Sequence, residues 1–74
     1  MSPDKLAYMA NQIGKFFSHQ PHDKAVASIA NHLQQFWDPR MRSGILTHLG
    51  EVKVDPLVRE ALTVIASAAR RSPP

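Results

Sequence analysis

Apolar residues recur along the chain at spacings of three and four, the period of a helix that buries one face. Leu6, Met9, Ala10, Ile13, Phe16 and Phe17 stand at i, i+3, i+4, i+7, i+10 and i+11. At about 100° per residue they fall within an arc of roughly 120°, which predicts a core-facing stripe. Val26, Ile29, Ala30, Leu33, Phe36 and Trp37 repeat the stripe. Three helix starts pair a capping side chain with proline at the first helical position: Ser2-Pro3, Asp38-Pro39 and Asp55-Pro56. The side-chain oxygen accepts an orphan backbone N–H there, and proline has no N–H to leave unpaired. A fourth start lies at Pro21-His22-Asp23, where Pro21 also closes the preceding helix. Gly50 is placed to end the third helix in the left-handed conformation. The expected helices therefore span about 3–18, 22–37, 39–49 and 56–70, followed by a frayed tail at 71–74. Only the short run EVKVD alternates with period two, and it reads as a connector.

The first two helices are near copies of each other. AYMANQIGKFF at residues 7–17 returns as ASIANHLQQFW at 27–37, with Ala7, Ala10, Asn11 and Phe16 matched identically by Ala27, Ala30, Asn31 and Phe36. Each copy carries small residues mid-stripe and an aromatic pair at its C-terminal end. Two such helices joined by a short turn predict an antiparallel hairpin, with the aromatic pairs at opposite ends of the contact. The two asparagines, at the edge of each stripe, are expected to bond across that hairpin. The fourth helix has Leu57, Val58, Ala61, Leu62, Val64, Ile65, Ala68 and Ala69 over an arc of about 160°, with Ala66 just beyond its edge. It should sit against two neighbours or keep one side for another chain. The fold class is all-α: a small bundle of three to four helices forming a single helical domain over 1–74.

Composition narrows the function classes. A chain of 74 residues buries only about 60% of the surface its unfolded form exposes, so a partner that completes the core would matter to it. It has no cysteine, which excludes disulfides, iron–sulfur ligation and thiolate metal sites within the chain. No apolar run approaches the ~20 residues that span a bilayer, and MSPDKLAYMA lacks the basic-then-apolar order of a secretory signal. The expected setting is the cytoplasm. The net charge of +3 is divided between halves of mixed sign, which argues against a dedicated nucleic-acid surface. Two arginine pairs, Arg40 with Arg42 and Arg70 with Arg71, stand out as candidates for local contacts.

No residues are spaced for catalysis. His19 and His22 straddle Pro21, and His32 and His48 are far off in sequence, so these read as solvated histidines and not as a zinc set. Nothing resembles a nucleophile elbow or a phosphate-cradling glycine loop. The densest stretch is FWDPRMR at 36–42. As structure it is a corner, in which Trp37 anchors the core, Asp38 caps a helix and neither arginine is needed. As a site it is a contact patch, because Trp, Met and Arg are enriched at binding hot spots. Arg40 and Arg42 stand in the first turn of a helix, where the dipole disfavours cations. The candidate partner-binding residues are Trp37, Arg40, Met41 and Arg42. Tyr8, an aromatic on the polar face of the first helix, is a fifth.

Three blocks in order, KLAYMANQIGKFF, FWDPRMR and DPLVREAL, resemble the delta subunit family of cytosolic, NAD-dependent, molybdenum-containing formate dehydrogenases. The resemblance implies a non-catalytic accessory subunit without a cofactor of its own. Its partner would be the large catalytic subunit, whose assembly, cofactor retention or stability it supports. Molybdopterin guanine dinucleotide, iron–sulfur clusters, FMN and NAD would all belong to other chains of that complex. Two alternatives remain open on the residues alone: a helix-turn-helix-like DNA-binding protein led by Arg40 and Arg42, and a self-associating bundle that forms a homodimer.

Overall fold

The computed structural model describes residues 2–71 and contains four helices: α1 (Pro3–Phe17), α2 (His22–Phe36), α3 (Pro39–Thr47) and α4 (Pro56–Arg71). All four starts fall where the capping signals put them. Ser2 Oγ accepts from the Lys5 N–H at 3.2 Å, and Asp38 Oδ1 accepts from the Met41 N–H at 2.9 Å. Pro21 precedes α2 without a side-chain cap. Helix α4 runs through Arg71, and the rest of the expected frayed tail, 72–74, lies outside the described residues, as do the Arg70 and Arg71 side chains. None of the described helices is long and apolar enough to cross a membrane.

Helix α3 ends two residues earlier than expected, and Gly50 is not its stop. Among the described residues no glycine has a positive φ. The chain leaves the helix by successive turns, with the N–H groups of Glu51 and Val52 both donating to the His48 carbonyl at 2.9 and 3.1 Å. Those bonds satisfy an orphan carbonyl without a left-handed residue.

Helix α2 packs most extensively on α4, while α1 lies against α2, α3 and α4. The wide apolar arc of α4 is thus explained by two neighbours: Val58, Ala61, Leu62 and Ile65 are buried between α2 and α1, and Val64 faces outward. The hairpin of α1 and α2 is present, but α1 turns a different edge inward from the one its large residues predict. Leu6, Ala7, Ala10 and Gly14 are buried, whereas Met9 and Ile13 are half-buried and Phe16 is 72% exposed. The cause is Gly14. A Cβ there would lie 2.5 Å from Val58 Cγ2 on α4, inside any real contact. Only glycine lets α1 approach α4 this closely, and that approach rotates the stripe, leaving Phe16 about 130° from the centre of the buried arc.

The asparagines do not bond across the hairpin. Asn11 reaches the α3–α4 connector, where its Nδ2 donates to the Lys53 carbonyl at 3.0 Å and its Oδ1 accepts from the Asp55 N–H at 2.8 Å. Asn31 is exposed and accepts from Gln35 within its own helix. Arg59 of α4 donates to the carbonyls of Leu49 and Val52 from the other side, and Val52 is buried beneath. A connector with few internal bonds is held by polar side chains from two helices, each satisfying backbone groups that would otherwise be unpaired.

Gly14→Ala should lower stability although alanine is the better helix former. Overpacking against Val58 costs about 1–3 kcal/mol, against a helix-propensity gain of about 1 kcal/mol. Urea denaturation followed by circular dichroism should show a net loss of up to about 2 kcal/mol. Combining it with Val58→Ala, which removes the colliding methyl, should cost less than the sum of the two single changes.

Candidate interaction surface

The corner between α2 and α3 is built from both ends. Trp37 leaves α2 with extended backbone, its N–H still donating to the Leu33 carbonyl at 3.1 Å, and its side chain is only 5% exposed. Asp38 then caps α3. Arg42, one turn into α3, points back: its Nη1 donates to the carbonyls of Gln34 (3.1 Å), Leu33 (3.4 Å) and Trp37. A cation over the last carbonyls of a helix meets both their hydrogen-bonding need and the negative end of the dipole. The expectation that neither arginine is needed for the corner is therefore corrected for Arg42. Its place in the first turn of α3 is unfavourable locally but lies over the last turn of α2.

Arg40 differs. It is exposed and has no hydrogen bond or ion pair among the described residues, and it lines a shallow hollow with Leu6, Asp38, Met41 and Gly44. Met41 is half-buried against the core. Tyr8 is 64% exposed, with its hydroxyl accepting from Gln12 Nε2 at 3.1 Å. It stands on another side of α1, over a hollow it shares with Asp4, Ala7, Asn11, Glu51 and Lys53. Of the five candidate residues, Arg40 and the edge of Met41 thus share one open surface, Tyr8 is apart from it, and Trp37 and Arg42 support it from beneath.

An apolar open groove involves residues that the periodicity assigns to the core. A groove of about 410 Å³ between α1 and α2 is lined by Met9, Gln12, Ile13, Phe16, Phe17, His32, Phe36 and Trp37. Phe16 and Phe36, the identical pair of the repeat, are 72% and 70% exposed. The aromatic pairs do not lie at opposite ends of the hairpin as expected. They are joined by a run of rings, Phe16 edge-on to Phe17 (5.0 Å), Phe17 to His32 (6.1 Å) and His32 to Phe36 (4.7 Å). One signal in the sequence points to this: each copy ends in two adjacent aromatics, and adjacent residues on a helix point about 100° apart, so both rarely enter one core.

Two of the remaining histidines meet glutamates. His22 Nε2 meets Glu60 at 2.6 Å and links α2 to α4, and His48 Nδ1 meets Glu51 at 2.7 Å. Both pairs are well exposed, so each is worth little to stability. Among the described residues no three His, Asp or Glu side chains gather where they could hold a metal ion.

Compared with known families, residues 5–62 match the model described as NADH-dependant formate dehydrogenase delta subunit FdsD. No curated protein and no solved structure matches the chain.

The two arginines of the corner should separate in a stability assay. Arg42→Ala removes charge-assisted bonds from the end of α2 and should cost about 1–2 kcal/mol by urea denaturation. Arg40→Ala, on an open surface, should stay within about 0.5 kcal/mol of the parent.

Proposed function

The chain belongs to the family of NADH-dependent formate dehydrogenase delta subunits, and from that we propose that it is a non-catalytic accessory subunit that binds the large catalytic subunit of the enzyme. The observation that carries the reading is the family match over residues 5–62, which takes in the whole of the aromatic groove and the Asp38-Pro39 corner. An accessory subunit acts by covering apolar surface on another protein. This chain exposes two phenylalanines and an arginine without a partner among the described residues, while Trp37 and Arg42 fix the corner between α2 and α3. Exposed apolar area of that kind on a small domain marks an interaction site. On this reading the molybdopterin, iron–sulfur, FMN and NAD chemistry all takes place outside this chain, in the cytoplasmic enzyme it joins. The chain contributes to the large subunit's assembly, cofactor retention or stability by mass action, since whatever binds only the folded form stabilises it.

Co-expression of the tagged chain with the large subunit of its formate dehydrogenase tests the reading. The two should elute together in size exclusion, and the large subunit made without this chain should hold less molybdenum or lose activity at a lower temperature. Separate elution at every ionic strength, with unchanged molybdenum content and thermal inactivation, would overturn it. So would binding of generic duplex DNA that collapses with added salt, the signature of phosphate contacts.

A further inference from the structure

We propose that the groove between α1 and α2 receives one amphipathic helix of the large catalytic subunit. That helix is aliphatic on the face it buries and carries a carboxylate at the end that reaches Lys5 and Arg40. The proposal rests on the accessory-subunit reading and adds to it the surface used and the chemistry of its occupant.

The shape of the occupant follows from the walls. Both sides of the groove are α-helices whose backbone groups are bonded internally, so no strand edge is offered for pairing. A segment entering the groove has to satisfy its own N–H and C=O groups, and a helix does so. Its buried face follows from the lining. Phe16, Phe17, Phe36, Met9 and Ile13 leave only Gln12, His32 and the Trp37 indole as polar partners, so polar side chains entering the groove would lose most of their hydrogen bonds.

The carboxylate follows from the charges. Among the described residues, no acidic side chain lines the groove. Lys5 lies on the row of α1 that continues through Met9, Gln12 and Phe16 at i+4, i+7 and i+11. Arg40 lies three residues past Trp37, which lines the groove, and itself lines the hollow beside Leu6 that begins at the next residue, Asp38. Both cations are exposed, both occupy the first turn of a helix, and neither has an ion pair among the described residues. The helix dipoles disfavour them there, and an incoming carboxylate would relieve that. The acids adjacent in sequence do not fill the role. Asp38 caps the Met41 N–H, and Asp4 faces the hollow under Tyr8 on the other side of α1. A two-fold pairing of this face with a second copy would set the same cations on both sides, and the carboxylate that lines the hollow with Arg40, Asp38, already caps α3.

The test uses the complex of the full chain with the purified large subunit. Phe16→Ala with Phe36→Ala should weaken binding by about tenfold or more, with the circular dichroism spectrum and melting curve of the parent. Lys5→Glu with Arg40→Glu should weaken it several-fold and flatten its dependence on salt. A photoreactive phenylalanine analogue at position 16 should cross-link to a large-subunit segment with aliphatic residues at helical spacing and a nearby Asp or Glu. If the parent binds and the phenylalanine variant binds as tightly, the groove is not the interface and this inference falls while the accessory reading stands. Cross-linking to a second copy of the chain, or to a segment without a carboxylate, also overturns it. If the parent does not bind the large subunit at all, both readings fall together.

Discussion

The approach of α1 to α4 at Gly14 is the constraint from which the rest of the arrangement follows. With no Cβ in the way, Val58 Cγ2 occupies the space that a side chain would need, and Ile29 of α2 reaches the same point. Three helices meet there. Because α1 must turn its glycine edge inward, it presents Ala7 and Ala10 to the core along with it, and its larger residues are carried toward solvent. The groove exists because this one contact is close. A helix that packed through Met9, Ile13 and Phe16 would have had a fuller core and no groove.

Around that contact, the chain closes its irregular parts with side chains from elsewhere. Arg42 covers the carbonyl end of α2, Asn11 holds the connector at Lys53 and Asp55, and Arg59 holds it at Leu49 and Val52. None of these bonds is strong by itself, since each replaces one to water. Their value is that no described buried side-chain nitrogen or oxygen goes without a partner, a condition a small domain with little apolar area to spare can seldom violate.

How much of this was legible depends on whether the deciding interaction was local. The helix starts were, because Ser2, Asp38 and the prolines act within one turn of themselves, and all four were placed correctly. The number and class of elements followed. The inward edge of α1 was not legible, because periodicity counts apolar mass and Gly14 contributes none. In a sequence, glycine within a helix reads as a weakness, and only the position of Val58, 44 residues away, makes it a contact. Asn11 and Asn31 looked equivalent for the same reason, since the connector that distinguishes them lies far along the chain. At the candidate surface, FWDPRMR stood out correctly as a dense corner. Trp37 reads from the sequence as the core anchor and is one, whereas Arg42 turns inward because the last α2 carbonyls end beside it. Periodicity assigns Phe16 and Phe36 to the core, because large aromatics at helical spacing are ordinarily buried.

The pairing of α2 with α4 also bears on the order in which the protein can be made. Helices α1 and α2 leave the ribosome first, but the helix on which α2 chiefly packs is the last of the four to be synthesised. Until Val58 arrives, Gly14 is only a flexible point in a marginal helix, and Asn11 has no connector to hold. The nascent hairpin therefore carries an unfilled inner face as well as its outer groove. Folding of this chain is a closing event that awaits α4.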